Sequence, residues 1–170
     1  MANDGKETNG KSADKTKQDA QPAQVQVVGQ YIKDLSFENP NIAKLLSEPG
    51  DNPNIKITVN VSSNDAGTDL FESSIDFNAQ ASNKHGVIYE LELIYAGLFR
   101  LKNVPEQTLQ PFLLINCPSI LFPFLRRIVA DITREGGFPP LLLDPIDFAA
   151  LFMRRQQELA AQKSGRAPKN

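Results

Sequence analysis

Residues 87–99 read VIYELELIYAGLF. Val87, Tyr89, Leu91, Leu93, Tyr95 and Phe99 fall on one face of an extended chain; Ile88, Glu90, Glu92, Ile94 and Leu98 fall on the other. A period of two is the signature of a strand. Just upstream, Ser82-Asn83-Lys84-His85-Gly86 is a turn signal. Before it, Phe71, Ile75, Phe77, Ala79 and Ala81 form another strand segment, so the two segments predict a hairpin. Further out, Ile55, Ile57, Val59 and Val61 alternate with Lys56, Thr58 and Asn60. Val25, Val27 and Tyr31 open a fourth strand, in which Gly29 marks a bulge or twist point.

Beyond about residue 104 the period changes. Leu121, Phe124, Leu125, Ile128, Val129 and Ile132 follow the helical i, i+3, i+4, i+7 spacing, with Pro123 early in the stretch and Gly136-Gly137 as its stop. Asp144-Pro145-Ile146-Asp147 predicts a second helix start, with Asp144 as N-cap and Pro145 in the first turn. Its stripe is Phe148, Leu151, Phe152 and Leu159. Strands first and helices last predict an α+β fold: a four-stranded antiparallel sheet with C-terminal helices packed on it.

The chain has 170 residues, the length of about one domain. Residues 1–24 have no large apolar residue beyond Met1 and read as a disordered extension; residues 25–162 read as a single domain, and 163–170 as a flexible basic tail. Net charge is −2 overall, but −6 over residues 25–153 and +4 over 154–170. No broad basic field marks a nucleic-acid binder. One cysteine, Cys117, excludes an intrachain disulfide and fits a reducing compartment. One cysteine and one histidine cannot build a tetrahedral Cys/His zinc site within the chain. Neither G-x-x-x-x-G-K-[ST] nor G-x-G-x-x-G occurs, so no cofactor is expected. No uninterrupted apolar run reaches the ~18 residues of a membrane span, and the N-terminus lacks the apolar core of a signal peptide.

The residues that could carry chemistry have plainer readings. His85 sits in a predicted turn with no second histidine to assist it. Cys117 precedes a proline in an apolar stretch and reads as a buried, inert thiol. Asp34, Glu38, Glu90 and Glu92 read as solvated carboxylates, and Tyr89, Phe124, Phe148 and Phe152 as core. Apolar residues are nevertheless in excess. One face of the 87–99 strand and nearly all of residues 111–125 (PFLLINCPSILFPFL) are apolar. A monomer would expose a large patch, which implies an oligomer interface, a surface for other apolar chains, or both.

Three stretches carry a family resemblance: YIKDLSFENP at 31–40, CPSILFPFLRR at 117–127 and FPPLLLDPIDFAALFMRR at 138–155. In this order they resemble the SecB family of protein-export chaperones, over roughly residues 26–157. The resemblance implies a cytoplasmic homotetramer, a dimer of dimers, that has no ATPase activity and is no enzyme. It implies a holdase that binds unfolded secretory precursors and delivers them to SecA, the motor of the Sec translocase, with no nucleic-acid partner and no membrane insertion. By motif alignment Asp34, Glu38 and Glu92 are similar to SecA-binding positions, and Tyr89, Phe124, Leu151 and Phe152 to positions of the client-binding groove. The chain departs from the family in its longer N-terminal extension, its basic tail after Met153 and its lack of tryptophan. A SecB-like chaperone dedicated to one partner such as an antitoxin, an enzyme with an intersubunit site using His85, Glu90 and Glu92, and a purely structural oligomer are the rival readings.

Overall fold

The computed structural model describes residues 22–48, 50 and 52–164. The expectations for residues 1–21 and 165–170 lie outside the described residues. Four strands follow the alternating segments: β1 Gln24–Glu38, β2 Asn54–Gly67, β3 Leu70–Asn83 and β4 Gly86–Lys102. They form one antiparallel sheet in the order β1-β4-β3-β2. The predicted hairpin closes at Asn83↔Gly86, with Lys84 and His85 as its turn. β1 slips register between Val27 and Gly29, where the glycine implied it, and again between Ile32 and Asp34. The chain then crosses from the β1 edge to the β2 edge through a segment carrying the short helix α1, Ile42–Ser47. Asn41 Nδ2 ties this crossover to the Val87 carbonyl at 2.9 Å.

Strand pairing sorts the side chains into two faces. The inner face carries Phe71, Ile75, Phe77 and Ala79 of β3 and Leu91, Leu93, Tyr95 and Phe99 of β4. Residues Glu106–Glu135 cover it with continuous helix: α2 Glu106–Pro111, a π turn Phe112–Asn116, and α3 Cys117–Glu135. A proline ring clashes with the carbonyl four residues before it, and the turn ahead of Pro118 is widened accordingly. Leu121, Leu125 and Val129 are fully buried against the sheet. The approach is tight at Gly97, where a Cβ would come 2.7 Å from Leu121 Cδ2, so a side chain there would push against the buried Leu121. Each large side chain buried in this core stabilises the fold by about 1.5–3 kcal/mol.

The helix differs from its sequence pattern in two respects. Phe124 belongs to the apolar stripe by spacing but is 46% exposed, and Phe122 takes the core position, edge-on to Phe148 with ring centres 6.0 Å apart. By composition, Glu106–Glu135 is also long and apolar enough to cross a membrane, although no single unbroken run is. Its buried residues instead pack against the sheet, α4 and the linker between the two helices.

α3 stops where the glycine pair predicts, Gly137 taking φ +88°. The second helix, α4 Phe148–Ser164, starts later than Asp144. Asp147 caps it, its Oδ1 accepting the Ala150 N–H at 2.9 Å. The residue before a proline is pushed towards extended backbone, so Asp144-Pro145 prolongs the linker, which buries Leu143 in the core.

Candidate functional site

The acidic residues singled out in the sequence share one place. β1–β4 pairing sets Glu38 opposite Glu90, Ser36 opposite Glu92 and Asp34 opposite Ile94. Partners in an antiparallel ladder point to the same face. Asp34, Glu38, Glu90 and Glu92 therefore gather on the outer face, at the end where β4 begins. Arg100 and Lys102 lie at the far end of the same strand, so the face runs from acidic to basic. Between them Glu72 accepts from Lys33 Nζ at 2.6 Å and from the Tyr31 hydroxyl. The Lys33 hydrogen bond, then that of Tyr31, holds the Glu72 carboxyl below its ordinary range. The bond to Glu72, with burial second, pushes the Tyr31 phenol up to about 12. This network bridges β1 to β3 across β4 and adds paired polar groups to the outer face.

The inner face ends in a cleft of about 860 Å³ between β2 and α4. Ile57, Val59, Val61, Leu114, Ile146, Leu151 and Phe152 give it apolar walls, while Thr58, Asn60, Ser62 and Asp76 on the sheet side and Arg154, Arg155 and Glu158 of α4 make its rim polar. β2 pairs only with β3, so its other edge faces the cleft. Arg155 reaches across from α4 and donates to the Val61 carbonyl at 2.8 Å.

Of the four groove positions, the structure brings Leu151 and Phe152 together in this cleft. Tyr89 lies elsewhere, buried between Phe37 and Phe138 with ring centres at 5.6 and 5.1 Å. Burial raises its phenol pKa. Phe124 stands on the exposed side of α3. The sequence reading passed over Ile57, Val59, Val61 and Arg155 as site residues. The period of two at 55–61 was the available signal, but nothing local tells an edge strand from a central one.

Cys117 is fully buried, and burial pushes its thiol up to about 12, which keeps it from acting as a nucleophile. His85 stays in its turn, where its backbone N–H is taken by Asn83 Oδ1 at 2.8 Å. Among the described residues no cluster of three His, Cys, Asp or Glu side chains could hold a metal ion.

A sheet with a charged outer face, and a cleft with apolar walls along an unpaired strand edge on its other side, offers surfaces suited to other polypeptides and no metal-holding cluster among the described residues. It is a binding protein of the α+β class. The sequence profile of the preprotein translocase subunit SecB matches residues 17–159, and the chain belongs to the SecB family. It is similar to the protein-export protein SecB of Xanthobacter autotrophicus, 48% identical over 83% of this chain and 90% of that one. The corresponding protein of Hyphomonas neptunium is 50% identical over 88% of this chain and 91% of that one. Among solved structures, a SecB-like chaperone of Mycobacterium tuberculosis in complex with a ChAD peptide from the HigA1 antitoxin shares the fold. Its TM-score is 0.58 at 17% identity, over 72% of this chain and 90% of that one.

Proposed function

We propose that this protein is an ATP-independent export chaperone, which holds unfolded precursors in the cytoplasm and passes them to SecA. The observation that carries the reading is the cleft between β2 and α4, which sets an apolar wall beside the open edge of a strand. Unfolded clients share no sequence, so recognition must use what they do share: apolar side chains and backbone N–H and C=O groups. An apolar groove along a strand edge offers partners for both. Such contacts are weak singly and gain strength when one long client spans several subunits.

Two further surfaces support the assembly and the hand-over. Val25, Val27, Val28, Ile32 and Leu35 of β1, with Ile120 and Phe124 of α3, expose apolar area on the single chain. A homotetramer arranged as a dimer of dimers would cover it. Asp34, Glu38 and Glu92 on the outer face supply an acidic patch suited to a steered, salt-sensitive contact with SecA. Holding and hand-over need no cofactor.

The test is titration of the protein into a labelled, slow-folding secretory precursor, unfolded and folded, without nucleotide. Binding to the unfolded form alone is expected, and Phe152→Asp should weaken it at least tenfold while leaving the assembly intact. No binding to either form overturns the reading and leaves a chaperone dedicated to one partner, or a structural oligomer.

A further inference from the structure

The β2 edge is not left bare. Arg155, on an exposed turn of α4, reaches back to the Val61 carbonyl at 2.8 Å. Residues of an antiparallel strand alternately turn their backbone groups towards and away from the neighbouring strand. The guanidinium meets Val61 from the cleft side, so the outward-turned groups belong to Val61 and, by the same alternation, to Val59 and Ile57. Their side chains line the cleft wall. An extended segment entering the cleft would therefore meet apolar side chains and free backbone groups on the same residues, until it reached Val61. There the rung is already taken.

We propose that Arg155 is a latch on the β2 edge, which an extended client segment must displace from the Val61 carbonyl to pair along the whole strand. The inference rests on the reading of the cleft as the client site. The latch has two consequences. It blunts an edge strand that would otherwise invite pairing between copies of the chain, a role that charged side chains commonly take. It also tethers α4, and with it Leu151 and Phe152, across the cleft while no client is present. Client binding then exchanges one hydrogen bond to Val61 for another, which weakens the complex and eases release without nucleotide.

The test uses the full chain and an uncharged, extended apolar peptide long enough to span Ile55–Val61, so that loss of a positive charge does not itself alter binding. Arg155→Met keeps the apolar stem and removes the donors. Its affinity for the peptide should rise by roughly 2- to 10-fold, the range expected when one competing hydrogen bond is removed. The gain should vanish for the same peptide N-methylated at alternate residues, which cannot pair as a strand. Far-ultraviolet circular dichroism checks that α4 stays helical. Equal or weaker binding by Arg155→Met, or a gain that survives N-methylation, overturns the latch while leaving the chaperone reading intact. Failure of the unsubstituted protein to bind either peptide overturns the client reading of the cleft, and the latch with it.

Discussion

Thr133 is the point where the linker to α4 is fastened, and Thr133→Val should loosen it measurably. The residue is fully buried near the end of α3. Its hydroxyl donates to the Val129 carbonyl at 2.9 Å and accepts the Leu141 N–H at 2.9 Å. Its own carbonyl takes the Phe138 N–H at 3.1 Å. Valine keeps the shape and removes the hydroxyl. The Val129 carbonyl is already within the helix ladder, so the loss falls on the Leu141 N–H. Stranding a buried donor costs about 1–3 kcal/mol. Leu141 is only half-buried, so water recovers part of this, and about 1–2 kcal/mol should remain. In urea, with a slope of about 2 kcal/mol/M, the midpoint should fall by about 0.5–1 M with the slope unchanged. Protein concentration must be held fixed, since assembly makes apparent stability depend on it. Amide exchange at Leu141 should accelerate by about tenfold for each 1.4 kcal/mol lost locally. An unchanged midpoint together with unchanged Leu141 protection would refute the assignment of this hydroxyl as the anchor.

Other outcomes follow from the same geometry. At Gly136 a Cβ would lie 2.5 Å from ring carbons of Phe37, so Gly136→Ala must displace the Phe37–Tyr89 stack. It should cost about 1–3 kcal/mol in thermal unfolding, whereas Gly29→Ala, which meets nothing within 4 Å, should stay within about 0.5 kcal/mol. The Cys117 thiol should resist thiolate-directed reagents at pH 8 until the chain is unfolded. Its folded pKa, pushed up to about 12, exceeds the ordinary value of 9.0, so the unfolded chain loses the proton first. Stability should therefore fall as pH rises above about 9, and Cys117→Ser should flatten that fall. Asp34→Lys or Glu38→Lys should weaken SecA binding, most at low salt, with client binding unchanged in the same preparation. Loss of both activities together would mean that these residues serve the fold.

Local chemistry made much of this chain legible in its sequence. The period of two at 55–61 and 87–99, the turn at 82–86, the bulge at Gly29 and the stop at Gly136-Gly137 depend on neighbours in sequence, and the strands, hairpin, bulge and helix end formed where those signals lie. The spacing predicts Asp144 as the cap of α4, and the structure caps it at Asp147. Asp144 precedes a proline, which disfavours helix there, and the linker buries Leu143 in the core, which sequence spacing does not record. Glu90 and Glu92 share a face by alternation alone, but the addition of Asp34 and Glu38 to that face came from β1–β4 register. Sequence by itself thus determined which segments are strands or helices, which of their faces are apolar, and the family. Only the tertiary structure decided that β2 is an edge, that Phe124 looks outward while Tyr89 is enclosed, and that Arg155 meets Val61 across 94 residues of chain. The reason is physical: period and capping are set within a few residues, whereas edges, clefts and latches exist only once distant segments have packed.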